Sequence, residues 1–136
     1  MTNPMSELAR NGVSVWLDDL SRERLETGNL AELIENFGVV GVTTNPSIFA
    51  NALSNGERYR PAIARLVSEN ASADETIERL TTDDVRAACD VFTDVFERTN
   101  GLDGRVSIEV EPKLADDTDG TIEAAKRIWD VVDRPN

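Results

Sequence analysis

Three places along the chain carry side chains that could do chemistry, and each follows or ends a short apolar run. Asp18 follows the run 13–17, Thr43, Thr44 and Asn45 follow the run 39–42, and Glu109 lies near the end of the run 105–110. Carboxylates can give and take protons, while hydroxyls and amides can hold the oxygens of a ligand. Each position also has an ordinary structural reading. Asp18 or Asp19 can cap the next helix, Asn45 can hold the turn before Pro46, and Glu109 can be solvated. Taken singly, capping is the commoner fate of such residues. Taken together, polar side chains at the ends of all three runs point to one shared site. A glutamate framed by Val106, Ser107, Ile108 and Val110 is costly to bury without a partner or a task.

Composition narrows the chemistry further. The 136 residues contain no histidine and one cysteine, Cys89. Triads with a histidine base, Cys/His zinc sites and intrachain disulfides are therefore excluded. With 26 acidic against 14 basic residues the formal net charge is −12, which argues against nucleic acid or a phospholipid surface as the main partner. Residues 1–10 lack the apolar stretch of a secretory signal and no run is long enough to span a membrane, so a cytoplasmic setting is expected. One domain over residues 1–136 is expected from length.

The elements that must position these side chains follow from periodicity. The runs 13–17, 39–42 and 105–110 are short, rich in Val or Ile and bounded by turn residues, so each reads as a buried strand. Helices fill the gaps. A short one covers 21–26, and Asn29 is expected to cap a second over 30–36 that stops at Gly38. Pro46 suits the first position of a third helix. Another spans 57–69, and Ser72 with Glu75 makes a capping box for a short helix ending near Leu80. The cluster Thr81-Thr82-Asp83-Asp84 is expected to start a longer one, with Val85, Ala88, Phe92, Val95 and Phe96 as its stripe. Thr118 or Asp119 caps a last helix to about Val132, with Ile122, Ala125, Trp129 and Val132 expected on its buried face. Strands alternating with helices imply a parallel α/β sheet with right-handed crossovers. In such folds the site lies at the carboxyl ends of the strands, where Asp18, Thr43 to Asn45, and Glu109 fall. Three strands make a poor closed core, and residues 133–136 are turn-like where a fourth strand would begin.

At this point three segments carry a resemblance. Val15-Trp16-Leu17-Asp18-Asp19-Leu20-Ser21-Arg22, Gly38-Val39-Val40-Gly41-Val42-Thr43-Thr44-Asn45-Pro46-Ser47-Ile48-Phe49 and Val106-Ser107-Ile108-Glu109-Val110 resemble the transaldolase family, in order and in spacing. The resemblance implies an incomplete (β/α)8 TIM barrel, about the first three βα units with extra helices. It implies transfer of a dihydroxyacetone unit from sedoheptulose 7-phosphate to glyceraldehyde 3-phosphate in the pentose phosphate pathway, through a lysine Schiff base. No metal or other cofactor is called for, since the protonated imine serves as electron sink. By the same resemblance Asp18 exchanges a proton with the substrate hydroxyl at the cleaved bond, with neighbouring Asp19 competing for that role. Glu109 handles protons through an ordered water, and Thr43 and Asn45 hold the dihydroxyacetone hydroxyls. Such work suits two carboxylates in unlike surroundings.

The family lysine lies on the fourth strand. The two lysines here, Lys113 and Lys126, do not match it: one follows Glu111-Pro112 in a loop, the other sits on a helix. The 136-residue chain alone is therefore expected to show no turnover. Expected partners are sugar phosphates, and either a second copy or the rest of the barrel. Two other readings stay open: a non-catalytic barrel fragment completed by a partner chain, and a fructose-6-phosphate aldolase-like enzyme. A calcium loop at 116–120 has the wrong register, and a helix start explains it better. Cys89 reads as a small packed residue, and Trp16 and Phe49 as core rather than a binding platform.

Overall fold

The computed structural model describes residues 4–136; Met1 to Asn3 of the N-terminal stretch lie outside the described residues. Strands β1 (Trp16–Leu17), β2 (Gly41–Val42) and β3 (Arg105–Val106) form a parallel sheet in the order β1-β2-β3. Trp16 and Leu17 face Gly41 and Val42, which in turn face Arg105 and Val106. Hydrogen bonds extend the pairing at both ends. Val40 N–H donates to Val15 O and Thr43 N–H to Leu17 O, each at 2.9 Å, and Ser107 N–H donates to Val42 O at 2.9 Å. The ladders are thus shorter than the apolar runs. Beyond the ladders side chains add bonds of their own: Ser14 Oγ donates to Asp103 Oδ1 (2.6 Å) and Thr44 Oγ1 to Ser107 O (2.7 Å).

Helix α1 (Pro4–Arg10), not anticipated from periodicity, precedes β1. Helices α2 (Arg22–Glu26) and α3 (Asn29–Phe37) join β1 to β2. The cap of α3 is Gly28, not Asn29; the Asn29 amide oxygen instead accepts from Arg24 Nη1. Between β2 and β3 come α4 (Pro46–Asn55), a 3-10 turn (Glu57–Tyr59), α5 (Arg60–Ser68), α6 (Ala73–Val91) and α7 (Thr93–Arg98). A second 3-10 turn (Pro112–Leu114) and α8 (Thr118–Val132) follow β3.

Two further expectations about the helices fail for physical reasons. The capping box at Ser72 and Glu75 forms, but α6 then runs through Thr81 to Asp84 as one helix of 19 residues. The hydroxyls that could have capped a new helix bond back along this one, with Thr82 Oγ1 on Glu78 O at 2.7 Å, and Asp84 is buried. On α8, capped by Asp117 rather than Thr118 or Asp119, the buried residues are Ala124 and Val132, with Ile128 partly buried against the core. Of the expected face, Val132 is buried, whereas Ile122 and Trp129 stay 47% and 60% exposed and Ala125 is exposed too.

The core lies between the sheet and helices α3 and α6. Leu20, Leu30, Val42, Phe49, Val85, Ala88, Phe92 and Val95 form its buried cluster, and Tyr59, Leu66 and Leu80 form a smaller one. Phe49 is core as expected, whereas Trp16 is 38% exposed and lies over Gly41. Before β3, Gly104 has φ +77° and an added Cβ would meet Phe96 N at 2.3 Å, so only glycine fits there. At Gly41 an added Cβ would lie 2.5 Å from Trp16 Cε2. Gly41→Ala should therefore displace the indole and cost about 1–3 kcal/mol in urea unfolding, with a shift in Trp fluorescence. An unchanged midpoint would show that Trp16 does not cover β2.

Candidate functional site

The parallel register sends the ends of all three strands to one edge of the sheet. At that edge Thr43 Oγ1 donates to Asp18 Oδ1 at 2.6 Å, joining the residue after β1 to the residue after β2. Asp18 is exposed, so its second oxygen can reach a ligand. Asp19 is engaged otherwise: its Oδ2 accepts from Arg24 Nε (3.0 Å) and Nη2. Of the two aspartates, Asp18 faces the strand ends and Asp19 is held by α2.

Thr44 is buried and ties the end of β2 to the segment after β3 through Ser107 O. Asn45 caps α4, its Oδ1 accepting from Ile48 N–H at 2.9 Å, which leaves its amide nitrogen as a donor. Glu109 is exposed, not buried as its apolar frame implied. It lines a cavity of about 630 Å³ together with Thr44, Asn45, Phe49 and Ile108. The structure therefore brings the four residues together as two pairs. Asp18 and Thr43 touch each other, Asn45 and Glu109 share the cavity, and Asp18 and Thr43 do not line it.

Both cations on that cavity wall are paired, Lys113 with Glu111 and Arg127 with Glu78. Lys113 lies on the 3-10 turn after β3 and Lys126 is exposed on α8, so neither ends a strand. Asp117 caps α8 by accepting from Gly120 N–H (2.9 Å), in keeping with a helix start at 116–120. Cys89 is buried, which pushes its thiol up to about 11, away from any nucleophilic form.

A polar cluster beside the site escaped the sequence reading. Arg22, the first residue of α2, bonds Asp84 Oδ1 through Nε (2.8 Å) and lies 2.7 Å from it through Nη2. Tyr59 Oη donates to Asp84 Oδ2 at 2.6 Å. Burial pushes the Asp84 carboxyl above the usual carboxylate range, while the Tyr59 hydrogen bond and the Arg22 charge pull it back. Burial and the Asp84 hydrogen bond also raise the Tyr59 phenol. A signal was present: Asp84 stands at helical spacing between Leu80 and Ala88 on an otherwise apolar face. Its partners lie 62 and 25 residues away and could not be read from spacing.

The fold and rim define a helix-rich α/β protein with polar side chains at the carboxyl edge of a parallel sheet. The family model described as Transaldolase/Fructose-6-phosphate aldolase matches residues 15–136, and the chain belongs to that family. It is 55% identical over 136 residues to a transaldolase of Kocuria rhizophila, covering 100% of this chain and 37% of that relative. It is 58% identical over 135 residues to a transaldolase of Mycobacterium tuberculosis, covering 98% of this chain and 36% of that relative. The chain thus spans 36–37% of the length of these curated relatives.

The double duty of Asn45 can be separated. Asn45→Ala removes the cap and should lower the unfolding free energy by about 1 kcal/mol, whereas Asn45→Asp keeps the acceptor and most of that stability. Equal losses in urea denaturation would show that the cap does not depend on Oδ1.

Proposed function

We propose that this chain supplies about the first three βα units of a transaldolase (β/α)8 barrel. Its rim contributes to the transfer of a dihydroxyacetone unit from sedoheptulose 7-phosphate to glyceraldehyde 3-phosphate, in the cytoplasmic pentose phosphate pathway. The observation that carries the reading is the Asp18–Thr43 contact at 2.6 Å, made at the edge where a parallel barrel keeps its chemistry. The family match and the relatives' names add the reaction class.

In this reading Asp18 exchanges a proton with the hydroxyl at the bond that breaks, and Thr43 holds that carboxylate in place. Asn45 offers an N–H donor to a substrate hydroxyl. Glu109, exposed to water, relays protons as the imine forms and hydrolyses. The imine-forming amine comes from a part of the protein outside these residues, because Lys113 lies on a 3-10 turn paired with Glu111 and Lys126 is exposed on α8, neither of them at a strand end.

Two features favour completion of the sheet next to β3. Val106 N–H donates to Asn136 O at 2.9 Å, so the chain passes along the free edge of β3 in hydrogen-bonding reach. Beside it an apolar crevice of about 270 Å³, lined by Val85, Val106, Ile108, Ile128, Trp129 and Val132, lies open. Further strands would cover it, whether they continue this chain or come from a partner chain.

The test joins this chain to the residues that follow the matched segment in the Mycobacterium tuberculosis relative. The chimera should transfer dihydroxyacetone, and Asp18→Asn should lower its kcat by about 10²–10⁴-fold. The 136-residue chain alone, treated with fructose 6-phosphate and borohydride, should give no covalent adduct. Full activity of the Asp18→Asn chimera, or an adduct on Lys113 or Lys126, would overturn the assignment.

A further inference from the structure

The first backbone N–H groups of a helix have no partner within it. At α2 one of them, Arg22 N–H, donates to the phenol of Tyr59 at 3.0 Å, from a residue 37 positions away. Tyr59 Oη thus accepts from Arg22 and donates to Asp84, using its one donor and completing a triangle with the Arg22–Asp84 ion pair. The Arg22 guanidinium also lies over the Tyr59 ring, 4.6 Å from its centroid. Asp84 is 2% exposed and Tyr59 2% exposed.

This triangle joins three separate elements: α2, the 3-10 turn after α4, and α6. Only residues 18–21 separate β1 from Arg22. Within them Leu20 is fully buried and Ser21 caps α2 by accepting from Arg24 N–H. The Asp19–Arg24 pair is local, five residues apart, and moves with α2. Leu20 and Leu25 seat α2 on the core, and an exposed Glu26–Arg58 pair ties its last turn to the 3-10 turn. The buried hydrogen bonding at Arg22 holds its first residue, the end that sets how the chain leaves β1. An apolar cluster of similar volume could fill the same space, but it would not set the angle at which the chain leaves β1.

We propose that Arg22, Tyr59 and Asp84 are positioning residues for Asp18. They fix the start of α2, and through residues 18–21 they hold the Asp18 carboxylate against Thr43. The segment between β2 and β3 thereby acts on the rim, since it supplies the phenol. The proposal rests on Asp18 belonging to the site.

The experiment uses nuclear magnetic resonance on the 136-residue chain without substrate. In the wild type, the Asp18 Hα–Hβ couplings should report a single rotamer and the Arg22 amide should be protected from exchange. In Tyr59→Phe, which keeps the ring and removes the hydroxyl, the Arg22 amide should exchange about tenfold faster and the Asp18 couplings should move to averaged values. Asp84→Asn should act in the same direction. Leu66→Ala unpacks the same small cluster without touching a hydrogen bond. It should lower the urea midpoint and leave the Asp18 couplings at the wild-type value. Unchanged couplings in Tyr59→Phe, or an equal change in Leu66→Ala, would overturn the proposal. Failure of both polar variants to fold would assign the triangle to global stability and overturn it too. No substrate takes part, so a negative transferase assay leaves this result standing, and the reverse holds as well.

Discussion

The arrangement depends on β2 being hydrogen-bonded in parallel on both sides. Thr43 N–H bonds Leu17 O on one side, and Ser107 N–H bonds Val42 O on the other. These bonds set which residues come next along each strand, so Asp18, Thr43 and Thr44 leave the sheet at the same level. Both residues of β2 are buried, and Gly41 leaves room for the Trp16 indole on the neighbouring strand. A side chain at that position would compete with the pairing that aligns the rim. The ladder contains only two residues per strand, which is little for an independent sheet. Its stability comes from the helices packed on it, chiefly α6, which carries Val85, Ala88 and Cys89 into the core.

The polar side chains at the rim serve structure and chemistry at once. Asn45 starts a helix with its oxygen and keeps its nitrogen for other use. Thr44 spends its hydroxyl on the backbone after β3, whereas Thr43 directs its own to Asp18. Adjacent threonines with opposite roles follow from the alternation of side chains along an extended segment. The same economy is visible at Asp18 and Asp19, where one carboxylate is absorbed by Arg24 and the other is left at the strand ends.

Much of this was legible from local chemistry. Short Val-rich runs bounded by glycine marked the strands, Pro46 after Asn45 marked a helix start, and the Ser72–Glu75 box formed as read. The errors share a cause. Thr81 to Asp84 have the composition of a helix start, but tertiary burial of Asp84 against Arg22 and Tyr59 keeps them inside α6. Of the helical row Ile122, Ala125, Trp129 and Val132, the last is buried as expected, yet α8 turns Ala124 and Ile128 inward and leaves the other three outward. Glu109 looked confined by its apolar neighbours, but the ladder ends at Val106 and the residue reaches water. Local pattern identifies which side chains share a helix or strand face. It does not say what stands opposite, and the Arg22–Tyr59–Asp84 triangle is set entirely by what stands opposite.

The most direct test of the shared rim is a set of interstrand nuclear Overhauser effects on the uniformly labelled chain. The parallel register requires cross-peaks linking Leu17 with Thr43 and Val42 with Ser107, each in the Hα-to-amide pattern of parallel neighbours. Observing both would place Asp18, Thr43 and Ser107 at one edge of one sheet. An antiparallel pattern, or the absence of either contact in the folded chain, would separate the strand ends and remove the physical basis for a common site.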